Sequence, residues 1–189
     1  MFVNCHTYYS LRYGTIKPET LLSLAKDKGV QTLALTDINN TSACLDFARL
    51  SSKYGIKPVL GVDFRNGAQQ QFILLAKNNH GFQQINAYLS VFMHDNRLKV
   101  PDHAAQLENT FVIYPYVHGK TYHLNSNEYL GVKPEDINKL RFSIWHTQRE
   151  KLVILQTVSF QNKRGFNTHR LLRAIANNTL LSKLPLEEQ

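Results

Sequence analysis

A chain of 189 residues in which 43% are hydrophobic can bury one substantial core, and with no apolar run of about 18 residues it offers no helical membrane span. The amino terminus lacks the basic-then-apolar layout of a secretory signal, so a cytoplasmic setting is expected, with Cys5 and Cys44 as buried, reduced thiols. The formal charge is +8 and uneven: nine Lys and Arg lie in residues 139–186 beside a single acid, Glu150. Such a stretch is either a solvated helix face or a surface for phosphate backbones or an acidic partner.

In chain order, residues 2–5 form a short apolar run suited to a buried strand. Pro18-Glu19 opens a helix, because proline is tolerated at the first helical position and glutamate suits the positive end. Leu21, Leu24, Ala25 and Lys28 follow at helical spacing, with Gly29 as the stop. Residues 32–36 read as a strand ending at Asp37. A helix over 41–54 places Cys44, Phe47, Ala48 and Ser51 on one face and ends at Gly55. A strand over 58–64 comes next.

The joins Lys28-Gly29-Val30-Gln31 and Tyr54-Gly55-Ile56-Lys57 share one layout, a glycine cap leading into a strand. Repeated βα units of this kind enforce a parallel sheet. Further strands are predicted over 72–76, 110–114 and 151–160, and helices over 81–91 and 167–177. Residues 120–148 are irregular, with a strand at Tyr129-Leu130-Gly131-Val132 and a helix start at Pro134-Glu135-Asp136. The fold class expected is α/β: six or seven units closing into a distorted, mostly parallel (β/α)7-like barrel, with residues 1–189 as a single domain.

Active sites in such architectures gather where strands end. Among the strand-end residues only His6, Asp37 and Asp63 are metal-ligating types. One imidazole and two carboxylates can hold a single ion weakly, but not the cluster of about two ions that hydrolytic centres use. Each residue also has an ordinary role. His6 reads as a hydrogen-bonded core histidine, Asp37 as a cap for the helix after it, and Asp63 as a partner for Lys57, Arg65 or a residue on another strand. The remaining histidines (80, 94, 103, 118, 123, 146 and 169) have no ligand spacing and read as surface or core. No glycine-rich phosphate loop is present. Tyr8, Tyr9, Tyr13, Tyr114 and Tyr116 fall near strand ends, where they either fill a cleft or stack on single-stranded bases. In the basic third, Lys163, Arg164, Arg170 and Arg173 are the nominated nucleic-acid or partner contacts.

The segment Asn4-Cys5-His6-Thr7-Tyr8-Tyr9-Ser10-Leu11-Arg12-Tyr13-Gly14 resembles the His-x-His-[Ser/Thr]-x-Tyr-Ser-x-x-Asp-Gly motif of the polymerase and histidinol phosphatase (PHP) family. The likeness is to PHP domains at the N-terminus of bacterial replicative DNA polymerase alpha subunits. Ala34-Leu35-Thr36-Asp37-Ile38-Asn39-Asn40 is similar to the family's Ala-Leu-Thr-Asp-His-Gly-Asn. Gly55-Ile56-Lys57-Pro58-Val59-Leu60-Gly61-Val62-Asp63 resembles Gly-Ile-Lys-Pro-Ile-x-Gly-x-Glu. Leu74-Leu75-Ala76-Lys77-Asn78-Asn79-His80-Gly81-Phe82 resembles a stretch particular to alpha subunits. Residues 152–160 are similar to Leu-Val-Ala-Thr-Asn-Asp-Val-His-Tyr.

The resemblance implies a set of metal ligands, of which His6 is kept and Asp63 stands in for a glutamate. The positions held by Asn4, Tyr13, Ile38, Gln71, Tyr116, Thr157 and Ser159 are lost. It therefore implies a domain with a vestigial cleft (His6, Asp37, Asp63), no catalytic residues and no resident cofactor, with zinc or manganese only if the cleft survives. It also implies a parent chain that synthesises DNA through a separate palm, so that these 189 residues are a fragment of a longer subunit. The domain's own role would be to support the polymerase body and to dock a proofreading exonuclease, meeting DNA through the holoenzyme and no membrane. The alternative is a residual metal-dependent phosphoesterase or 3′–5′ exonuclease using His6, Asp37 and Asp63. A third reading, compatible with the first, is a nucleic-acid-binding module.

Overall fold

A computed structural model describes residues 1–94 and 98–186. Its strands are β1 (Asn4–Cys5), β2 (Thr32–Leu35), β3 (Lys57–Asn66), β4 (Gln69–Ala76), β5 (Thr110–Pro115), β6 (Glu128–Val132), β7 (Leu152–Ile154) and β8 (Thr157–Val158). Its α-helices are α1 (Pro18–Asp27), α2 (Cys44–Tyr54), α3 (Asn79–His94) and α4 (Lys163–Ala176). Strands β2 to β7 form one sheet in chain order, and β1 pairs with β8. Phe2 bridges Leu33, so β1 lies against β2. Because β7 pairs with β6 and β8 with β1, the segment 152–158 spans two neighbours and the sheet curls back onto itself.

Side chains from around the curl meet in its interior. Val3, Ala34, Ile73, Leu75, Ile113 and Leu155 are buried there, with Val59, Tyr129 and Val153 against them. The alternate residues point outward, as the two-residue period of a strand requires. Leu33 and Leu35 pack with Leu21, Leu22 and Phe47 of α1 and α2. Val62, Phe64, Phe72, Leu74, Val112 and Leu130 pack with Ile85 and Leu89 of α3 and with Trp145.

The helices end as their residues dictate. Gly55 sits at φ +67° and its N–H reaches back to the last turn of α2, a left-handed cap that a residue without Cβ takes at little cost. Asn162 caps α4 by accepting from the Gly165 N–H at 3.0 Å.

Three expectations are corrected. The β3–β4 and β4–β5 pairs are antiparallel, so no helix separates 58–64 from 72–76. The chain turns at Gly67-Ala68 instead, with Gly67 at φ +62°. The helix start at Pro134 leads into 3₁₀ turns, Pro134–Phe142. The single strand over 151–160 is broken after Ile154. The remaining strand pairs are parallel, as expected of the fold class.

Candidate functional site

The first βα loop builds the floor of the site. Ser10, Tyr13 and Gly14 close tight backbone turns, Ser10 N–H to Thr7 O at 2.9 Å and Gly14 N–H to Ser10 O at 2.9 Å. A Cβ on Gly14 would lie 1.8 Å from the Thr7 carbonyl oxygen, so this position admits only glycine. Asp37, at the end of β2, holds the loop in place. Its oxygens accept from the Thr7 N–H (2.6 Å), the Thr7 hydroxyl (2.7 Å) and the Ser10 hydroxyl (2.7 Å). Asp37 is thus a loop anchor rather than the helix cap expected of it, and α2 starts later, at Cys44, without a side-chain cap.

Above that floor lies a buried charge network centred on Asp63. Its Oδ2 accepts from Arg65 Nε (2.9 Å) and Arg65 Nη2 (2.8 Å), and meets His6 Nε2 at 3.0 Å. Its Oδ1 accepts from the Gln70 amide at 2.8 Å. An ionised carboxylate only accepts, so His6 carries a proton on Nε2, while its Nδ1 lies 2.9 Å from the Ser159 hydroxyl. His6, Asp37 and Asp63 are wholly shielded from solvent, and Arg65 is 8% exposed. Burial alone would raise the pKa of Asp63, but the Arg65 guanidinium and then His6 outweigh it and hold the carboxyl below its ordinary value. Burial works against the charge of Arg65 too, and Asp63 and the Tyr13 hydroxyl more than offset it.

Tyr13 plugs the space beside this network. Its ring meets His6 edge-on at 5.3 Å and His169 at 4.6 Å. Two guanidinium groups lie over the same ring, Arg65 at 4.8 Å and Arg173 at 5.3 Å. His169 is buried in α4, with its Nδ1 2.6 Å from the Tyr13 carbonyl oxygen. Burial pushes its pKa down, partly opposed by that carbonyl and reinforced by Arg173.

The structure gathers most of the positions nominated from sequence. Asn4 donates to the Thr157 hydroxyl at 3.0 Å and accepts from Thr36 at 3.0 Å. Ser159 meets His6, and Ile38 bridges Asp63 as a backbone pair. Two positions fall elsewhere. Gln71 is turned to the Gln69 carbonyl (3.3 Å), and it is Gln70 that faces Asp63. Tyr116 directs its hydroxyl to His118 Nδ1 (3.3 Å) and lines a separate groove of about 620 Å³ with Lys120, Asn138 and Trp145. Among the described residues, Tyr13 is the nominated tyrosine packed against this network. Tyr8 and Tyr9 stack on each other at 4.7 Å, and Tyr114 donates to Glu128 in the core.

The four nominated cations also separate. Lys163 and Arg164 are exposed and Arg170 lies half-buried beside Phe166. Arg173 turns inward, 9% exposed, which corrects its reading as a surface contact. Four participants escape the sequence reading: Gln70, Asn39, Arg173 as a ring partner, and His169. Beyond the motif positions, the Asp63-Phe64-Arg65 spacing, which puts opposite charges on one strand face, is the signal for the ion pair.

Metal ligation needs lone pairs converging on one free point. Among the described residues no three His, Cys, Asp or Glu side chains do so, and the oxygens of Asp37 and Asp63 already accept from protein donors. The donor set does not fit a metal cluster.

A curled, mostly parallel α/β sheet with polar side chains at the ends of β1, β2 and β8 has a barrel-like architecture. It aligns with an amidohydrolase from Chromobacterium violaceum at TM-score 0.50, with 10% identity, covering 84% of this chain and 87% of that one. The chain belongs to the PHP domain family, whose pattern matches residues 3–129. It is similar to the DNA polymerase III alpha subunits of Buchnera aphidicola (28% identity over 109 residues, 52% of this chain and 9% of the relative) and Streptococcus pyogenes (24% over 192 residues, 96% and 17%). The chain therefore spans less than a fifth of the length of these relatives.

Proposed function

We propose that this chain serves as the PHP scaffold of a bacterial replicative polymerase subunit, with a cleft that neither holds a metal nor hydrolyses phosphoesters. The observation that carries this reading is the ion pair between Asp63 and Arg65 inside the cleft. A buried guanidinium repels a second cation and occupies the oxygen a metal would need. Beside it the Ile38 side chain offers no donor, and Tyr13, Thr157 and Ser159 are spent on contacts within the protein. In this role the domain supports the remainder of a longer polymerase chain and presents a surface to a proofreading exonuclease subunit, reaching DNA through that assembly.

A phosphoesterase built on His6, Asp37 and Asp63 would need all three open to substrate, and each is fully buried. The test is elemental analysis of the purified chain after exposure to zinc and manganese and removal of the excess, beside Asp63→Ala. Stoichiometry near zero in both is expected. Tightly held ions in the wild-type chain that are lost in the variant would overturn the scaffold reading.

A further inference from the structure

Asp63 stands at a ligand position, yet its charge is neutralised from two residues away on its own strand. We infer that Arg65 is the resident cation of the cleft, a guanidinium that ties the surrounding elements together as a structural metal ion ties its ligands. This rests on the reading of a metal-free cleft and adds what has taken the metal's place.

The contacts of Arg65, made directly or through Asp63, run across four parts of the fold. Its Nε and Nη2 share one carboxylate oxygen of Asp63 on β3 with His6, which follows β1. The Tyr13 ring of the first loop lies against its guanidinium at 4.8 Å. Its backbone is clamped from the end of β2, where the Asn39 amide donates to the Arg65 carbonyl (2.9 Å) and accepts from its N–H (3.0 Å). Asn39 holds φ +47° to do so, a left-handed conformation that asparagine tolerates better than most residues. The β3–β4 register also shifts between Phe64 and Arg65. This is a built seat, since an incidental ion pair would not need its cation fixed at both backbone atoms. A tyrosine at the acidic position before Gly14 complements it, because a ring face attracts a guanidinium without the desolvation cost of a second carboxylate.

Removing the guanidinium leaves a buried anion and a space shaped for a small cation. The test is thermal melting of the 189-residue chain and of Arg65→Ala, Arg65→Lys, Arg65→Met and the core control Leu35→Ala. Each is measured with chelator, with millimolar zinc or manganese, and with millimolar methylguanidinium. Arg65→Ala is expected to melt about 6–20 °C lower and to recover part of that loss with methylguanidinium or a divalent ion. Leu35→Ala melts lower without recovery, and Arg65→Lys melts above Arg65→Met. The inference is overturned if Arg65→Ala melts as the wild type does, or if cations restore it no more than they restore Leu35→Ala. If Arg65→Ala does not fold, Arg65→Lys melting no higher than Arg65→Met overturns it. A wild-type chain whose melting falls with chelator would instead sink the metal-free reading, a result separate from these.

Discussion

At the scale of single residues, the site is a set of charges held in fixed protonation states, which makes stability depend on pH in two windows. His169 has its pKa pushed below the usual 6.5 by burial. A depressed value means the unfolded chain takes the proton first, so the contribution of His169 is present above about pH 6.5 and is lost as the pH falls through its lower folded value. Asp63 is likewise depressed below 3.8, by Arg65 and His6 acting against burial. Its contribution is present above about pH 3.8 and is lost as the pH falls through its folded value. Urea midpoints measured from about pH 8 down to about pH 3 should show a first decline below about 6.5 that is absent in His169→Gln. If that variant keeps the decline, the upper window belongs to another group. Motifs nominate the positions of His6, Asp63 and Ser159, but not the bonds among them. His6 and Ser159 are 153 residues apart, and only the pairing of β8 with β1 brings them together. Motif alignment points to Gln71 where Gln70 belongs, because the register jumps from Phe64↔Phe72 to Arg65↔Gln70. One residue is skipped at that bulge, which exchanges the faces of the strand.

At the scale of elements, glycines mark what local sequence can and cannot announce. The helix-ending glycines after α1 and α2 are legible because each follows an apolar helical period. Asn66-Gly67 is an equally strong hairpin signal, but within a pattern of repeated βα units it reads as an isolated glycine, and the antiparallel β3–β4 pair stays hidden. The break in the strand over 152–158 is hidden for another reason: its two halves serve different neighbours, which no local pattern records. Two substitutions separate the physical roles of glycine. At Gly67 nothing lies within 4 Å of where a Cβ would stand, so Gly67→Ala costs only the left-handed backbone, about 1–2 kcal/mol. At Gly14 the added carbon would strike the Thr7 carbonyl, so Gly14→Ala must displace the loop that carries Tyr13 and accepts the hold of Asp37. Denaturant midpoints should rank wild type, then Gly67→Ala, then Gly14→Ala. Equal losses would mean the first loop yields more easily than its hydrogen bonds imply.

At the scale of the whole molecule, the basic third is not one surface. Its stretch of α4 divides into an outward end, Lys163 and Arg164, and an inward Arg173 locked on Tyr13. Net charge of +8 favours weak, sequence-independent attraction to nucleic acid, and only the outward cations can release counterions from a phosphate backbone. A paired experiment tells the two roles apart. Binding of a labelled DNA duplex, followed by fluorescence anisotropy between about 50 and 200 mM salt, should weaken in Lys163→Glu/Arg164→Glu. The slope of log affinity against log salt should flatten by about 2, one for each lost phosphate contact. Arg173→Glu should act on stability instead: it exchanges the guanidinium over the Tyr13 ring for a buried anion, and the melting temperature falls. Should the double variant bind DNA as tightly as the wild type while the salt slope is unchanged, the outward face of α4 is a contact for protein, and the charge of the chain serves assembly rather than DNA.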